Sequence, residues 1–308
     1  MLSFIMPLFV SIFGTSMLSI IFKKRFEIML PIYFMFSALF VYVLTVFNLF
    51  DVAIYLLLLF SCICLIYLIY CRVKKRKQLN DIIKYIFTPG LIIYFMIYIF
   101  VFILNYNRGF NTWDEFSHWA DTVKIMTYLD DFATAPDSPA LFKSYPPAMS
   151  LLQYFVQKNK MWIKGDNLFT DWRLYLAYHV FEISMLFPCL DREEKAYKKA
   201  IKLLVLVFIC VLFYTDMLEY LYIDPFVAIM GGYVFLSAIM KGKKDGFDFL
   251  GICLACACLT LAKDIGLYFA LAVGILYLAD SCDYSVKKFF SLHGLYGFIP
   301  ASPAIRQS

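Results

Sequence analysis

The feature that most constrains this chain is the recurrence of apolar runs about 20 residues long, the length of helix that crosses the hydrocarbon core of a bilayer. Lipid gives the backbone no hydrogen-bond partners, so a run of this kind has to close its own bonds as a helix. Such runs lie near residues 2–22, 28–50, 52–71, 85–105, 172–190, 201–222, 224–240, 247–263 and 265–280. The expected architecture is therefore an all-α polytopic membrane protein of about nine transmembrane helices, the last four being short or closely spaced. Composition agrees: of 308 residues, 62% are hydrophobic and 17% charged, too little polar surface to cover such a core in water. A secreted disulfide scaffold and a disordered regulator are excluded, and nucleic acid is not an expected partner. The cysteines fall in or beside apolar runs, and Cys253 and Cys256 lack the polar or His neighbours that a metal or redox Cys-x-x-Cys needs.

Orientation follows from positive charge, because Lys and Arg are retained on the cytoplasmic side of short loops. The basic clusters are Lys23 to Arg25, Arg72 to Lys77, Lys195 to Lys199, Lys241 to Lys244, and Lys287 with Lys288. They follow the odd-numbered spans and so share one side, which puts the N-terminus outside. Residues 1–22 carry their charges after the apolar run, so the first helix is expected to be retained rather than cleaved as a signal peptide. Four regions result: N-terminal spans over 1–105, an outer loop over 106–171, C-terminal spans over 172–282, and a cytoplasmic tail over 283–308.

The loop from Tyr106 to Asp171 holds eight acidic and six basic residues, a net −2, and a connection of that length in a compact protein usually carries function. Its first helix is expected over Asn111–Met126. At about 100° per residue, Asp114, His118, Asp121 and Ile125 share one face, and Trp113, Phe116 and Ala120 lie roughly opposite. An acidic pair, Asp114 and Glu115, is thereby held just outside the membrane by aromatics suited to the interface. Thr112 with Glu115 also makes a capping box, which by itself accounts for acids in a first turn. Asp114, His118 and Asp121, at i, i+4 and i+7, could alternatively ligate a divalent cation.

Farther along, Tyr145, Pro146 and Pro147 read as an extended entry to a Pro-started helix over Ala148–Val156, rich in Leu, Tyr and Phe. Without a further role, that helix would anchor at the interface. The proposed topology places Asp216, Glu219 and Asp224 on the loop's side, together with Lys263 and Asp264, which interrupt an apolar stretch where an unpaired charge is costly. Lys263 is either a binder of an anionic headgroup or one half of a local pair in a tight outer turn. His179 and Glu182, deeper in the fifth span, are expected to pair and fix helix packing, or else to line a polar path.

Four segments carry a family resemblance: WDEFSHWA at Trp113–Ala120, SYPPAMSLLQYF at Ser144–Phe155, YLYIDPF at Tyr220–Phe226 and LTLAKDIGL at Leu259–Leu267. Together they resemble the GT-C superfamily, multi-span glycosyltransferases that use polyprenyl-phosphate sugar donors and include protein O-mannosyltransferases and aminoarabinose transferases. The resemblance implies that Asp114, with Glu115 beside it, acts as base on an acceptor hydroxyl. It implies that Lys263 holds the carrier phosphate, that Tyr145 donates a hydrogen bond, and that His118 and Asp224 bind or orient substrate. It further implies a lipid-linked sugar donor, a glycan, lipid or protein acceptor on the outer face, and a bacterial cell membrane. Family members run longer and carry the acidic loop after the first span, so a truncated chain is also implied. Two other classes remain open: a lipid or solute transporter or flippase, sensitive at Glu182 or His179, and a non-catalytic assembly protein for which the acidic loop is a partner surface.

Overall fold

A computed structural model describes residues 2–143, 146–164, 168–190, 195–239 and 246–281. Among them every regular element is helical: α1 (Leu2–Phe22), α2 (Phe26–Val46), α3 (Phe50–Lys74), α4 (Arg76–Ile86), α5 (Pro89–Asn105), α6 (Ala120–Leu129), α7 (Ala148–Lys164), α8 (Trp172–Ser184), α9 (Ala196–Phe213), α10 (Ile223–Ile239), α11 (Gly246–Thr260) and α12 (Asp264–Ser281). A π-helical turn, Glu115–Trp119, leads into α6, and a short 3₁₀ turn, Phe187–Cys189, follows α8. Phe4–Phe22, Phe26–Val46 and Phe50–Lys74 are each long and apolar enough to cross a bilayer, which marks the chain as an integral membrane protein. The pair α4 and α5, bent by 56°, would make a fourth span if counted as one.

The bend has a local cause. Pro89 occupies the first turn of α5, where its missing N–H costs nothing, and its ring turns the preceding residue away from helix. The piece before it, α4, was not foreseen as a helix of its own. It is amphipathic: Ile82 and Ile86 are buried against Cys71, Ile20 and Leu68, while Arg76, Lys77 and Lys84 are exposed.

Two helices form the interior of the bundle. Helix α7, read as an interfacial anchor if it had no further role, is instead interior: every residue from Ala148 to Asn159 is buried. It packs against α8, α6, α1 and α2. Helix α8 is buried along its whole length. Its 13 residues rise about 20 Å through the middle of the bundle. Apolar side chains that face outward cluster on the peripheral helices, as with Ile66 and Ile69 of α3, Ile103 of α5, Leu204 and Leu212 of α9, and Ile275 of α12.

The bundle has two chemically distinct ends. At the basic end, Glu27 of α2 is buried and meets Arg25 at 2.6 Å and the buried Lys199 of α9 at 3.7 Å. Lys24 lies over the Phe247 ring at the start of α11. The other end carries the long loop. There Phe132 packs on Tyr42 of α2, and Tyr154 of α7 stacks on Phe50 of α3 with ring centroids 3.8 Å apart. The Tyr154 hydroxyl donates to Asp51 at 3.3 Å and Asp130 at 3.0 Å, and Lys158 pairs with Asp130, so α7 is latched to the start of α3.

Candidate functional site

The loop's first helix starts as its sequence directs. The Thr112 amide donates to Glu115 Oε2 at 3.1 Å and the Glu115 amide to Thr112 Oγ1 at 3.4 Å, the reciprocal pair of a capping box. Glu115 does more than cap. Its Oε2 also accepts the Asn111 amide at 2.8 Å, and its Oε1 accepts the Tyr175 hydroxyl at 2.8 Å and the Leu221 amide at 3.1 Å. With no exposed surface and two donors on each oxygen, Glu115 is committed to joining three parts of the chain. Both oxygens of the carboxylate are thereby satisfied within the fold.

Asp114, next in sequence, has the opposite setting. Its side chain is 46% exposed, and its Oδ1 lies 4.0 Å from His118 Nε2. The His118 ring is mostly buried between Trp119 and Phe142, and its Nδ1 sits 2.6 Å from the Ser117 hydroxyl. That contact fits a ring whose proton is on Nε2, facing Asp114. Burial holds the ring's pKa below its ordinary 6.5, with Asp114 pulling the other way, so the ring is neutral at neutral pH.

The π-helical turn changes the face that regular helical spacing predicts. By inserting extra backbone before α6, it leaves Trp113 and Phe116 exposed and turns Ala120 fully inward, whereas the three were expected on one side. The same shift bears on the alternative i, i+4, i+7 cation set. Asp121 is half-buried, its carboxyl pushed up by desolvation with Lys124 opposing. Among the described residues no three His, Cys, Asp or Glu side chains gather into a metal site.

Three contacts draw the four quoted sequence segments to one place. Glu115 binds the Leu221 amide, tying the acidic helix to the YLYIDPF segment. Asp224 of that segment accepts from Lys263 at 2.5 Å, tying it to the turn between α11 and α12. In that turn the Leu261 carbonyl accepts the Ala148 amide at 2.8 Å, which joins it to the start of α7 just after Pro147. The turn itself is tight: a Cβ on Gly266 would sit 1.9 Å from the Leu259 carbonyl oxygen, so only glycine fits. Lys263 thus pairs across space with Asp224 and not with its neighbour Asp264, and its side chain stays 33% exposed. Tyr145 lies outside the described residues.

Several residues enter the site that sequence reasoning had used only for charge counting or not at all. Arg108 reaches Glu219 at 3.4 Å and the Leu218 carbonyl at 3.5 Å, and its guanidinium lies 5.7 Å from the Tyr175 ring centroid. The position of Arg108 directly after the fourth apolar run was the available signal. Tyr175 had none, being one aromatic among many. Deeper in α8, His179 and Glu182 are fully buried and 3.4 Å apart, the paired arrangement that their spacing led us to expect.

Beside Phe142 the loop borders an open-sided cavity of about 340 Å³ lined by Tyr42, Thr122, Phe132, Thr134, Phe142 and Lys143, among others. The loop end therefore offers a half-exposed carboxylate next to a neutral imidazole, two partly exposed cation-containing pairs and an adjoining cavity. The class these features define is an all-helical integral membrane protein with a polar loop end built from distant segments. No protein family, curated protein or solved structure matches the chain.

Proposed function

We propose that this protein is a membrane glycosyltransferase that moves a sugar from a polyprenyl-phosphate carrier to an acceptor at the outer face of a bacterial cell membrane. In this reading the chain spans the bilayer about nine times with the N-terminus and the 106–171 loop outside. The observation that carries it is the convergence of the four GT-C-like segments through the Glu115–Leu221, Asp224–Lys263 and Ala148–Leu261 contacts. The alternation of helix ends supports the topology: the starts of α2, α9 and α11 meet at the basic end, and the starts of α3, α8 and α10 meet the loop.

Chemically, Asp114 takes the proton of the acceptor hydroxyl as that oxygen bonds to the anomeric carbon. The bond from that carbon to the phosphate oxygen breaks, and polyprenyl phosphate leaves with the electron pair. His118, 4.0 Å from Asp114 and so not hydrogen-bonded to it, serves as a binding group for the acceptor. Lys263 uses one N–H on Asp224 and keeps two for a phosphate oxygen.

The test is transfer in proteoliposomes, with a panel of labelled polyprenyl-phosphate sugars and membrane-derived acceptors. Asp114→Asn is expected to lower transfer by about 10²- to 10⁴-fold while leaving the protein folded. Undiminished transfer by that variant, or none by wild type across the panel, overturns the reading.

A further inference from the structure

The cavity beside Phe142 has the size and lining of a binding site rather than a packing defect. At about 340 Å³ it exceeds the space that a few waters fill and falls within the range of small-molecule pockets, which begin near 300 Å³. Its walls combine the aromatic rings of Tyr42, Phe132 and Phe142 with the hydroxyls of Thr122 and Thr134. Such a lining offers apolar ring faces to a sugar's C–H face and hydrogen-bonding groups to its hydroxyls. At the edge stands Lys143, exposed, whose Nζ touches only the carbonyls of Ala135 at 3.5 Å and Pro136 at 3.4 Å among the described residues. In contrast to Lys158, Lys199 and Lys263, which all meet carboxylates, it forms no ion pair among those residues.

Location adds to this. The Phe142 ring that lines the cavity also stands edge-on to the His118 ring, centroids 4.9 Å apart, and His118 lies 4.0 Å from Asp114. Two rings, Phe142 and then His118, therefore separate an occupant of the cavity from the proposed base.

We infer that this cavity seats an anionic sugar unit, with Lys143 taking the anionic group, the aromatic rings the sugar face, and Thr122 and Thr134 its hydroxyls. The inference rests on the transferase reading and narrows its substrate class. The anionic group is either a carboxylate of the acceptor glycan or the phosphate of the lipid-linked donor, and one experiment separates them.

The full chain in lipid nanodiscs is titrated with three probes: a disaccharide ending in a uronic acid, its neutral counterpart, and a short-chain polyprenyl-phosphate sugar. Binding is read by native mass spectrometry. At least one anionic probe is expected to bind saturably, and the acidic disaccharide, where it is the binder, roughly tenfold tighter than the neutral one. Lys143→Ala should weaken that binding about tenfold and Lys143→Arg should largely restore it, both being surface changes that leave the fold intact. Phe142→Ala should weaken any sugar that occupies the site. Lys143 dependence of the disaccharide assigns the anion to the acceptor, and Lys143 dependence of the carrier-linked sugar assigns it to the donor. Equal binding of acidic and neutral disaccharides without Lys143-dependent binding of the donor, or no binding by folded wild type, overturns the inference. The transferase reading fails separately, by Asp114→Asn retaining transfer whatever the sugar affinity.

Discussion

Each end of the bundle buries a glutamate, and the two are satisfied by different chemistry. Glu27 at the basic end is held by two cations, Arg25 and Lys199. Glu115 at the loop end is held by three backbone amides and one tyrosine hydroxyl, all neutral. Charge closes the first end, where a buried carboxylate meets two basic side chains. At the second end neutral donors do the closing, so the charges of Asp114 and Lys143 remain at the surface and available to a ligand. A polar interior contact and a polar surface group thus sit side by side in sequence, at Glu115 and Asp114, with opposite duties.

That contrast can be broken by substitution. Glu115→Ala strands four donors in a buried setting and should cost more than about 3 kcal/mol, seen as a large fall in the Tm of the purified protein. An unchanged Tm would remove Glu115 as the tie between loop and bundle. Gly266→Ala drives a methyl into the Leu259 carbonyl, which belongs to another helix and cannot step aside, and should cost about 3 kcal/mol. At the basic end Gly90→Ala meets only the side chain of Glu27, at 2.2 Å from its Cγ, and should cost less, about 1 to 2 kcal/mol. Thermal unfolding of the two variants side by side decides whether the turn or the ion-pair end is the stiffer; equal losses would show that both ends yield alike. Lys199→Met should cost about 2 kcal/mol, less than a fully broken buried pair because Arg25 still meets Glu27.

The smallest effect concerns pH. Burial holds the folded His118 ring below its ordinary 6.5, so folding favours the neutral ring. Its contribution to stability is whole above pH 6.5 and is lost as pH falls through the lowered value. Taking the protein from pH of about 7 to about 5 should therefore lower the Tm of wild type slightly more than that of His118→Gln. A Tm difference independent of pH would mean that the ring does not titrate with the loop's folding.

Much of the helical plan was legible because apolar runs and capping residues act locally. Each expected span overlaps a helix, although 201–222 runs past the end of α9 at Phe213 and only three helices are long and apolar enough to qualify as spans by themselves. Thr112 and Glu115 announced their own turn, and His179 and Glu182, three residues apart, paired as their spacing allowed. What escaped was decided over distance. The burial of α7 depends on four helices that surround it, and its Leu, Tyr and Phe content suits an interface as well as an interior. Lys263 chose Asp224, 39 residues away, over the adjacent Asp264, a preference set by how α10 meets the turn. The π-helical turn left no mark in the pattern, since the residues that it rotates are aromatic or small and fit either face.

The place of α7 bears on the order in which the molecule can be assembled. Its walls include α1 and α2, made before it, and α8, made after it. Its first amide then waits for the Leu261 carbonyl, more than a hundred residues downstream. During synthesis the start of α7 must therefore wait for its partner while the later helices are made. The end that carries Asp114 is completed only when the turn bearing Lys263 arrives, so a half-made chain holds the carboxylate without its surroundings.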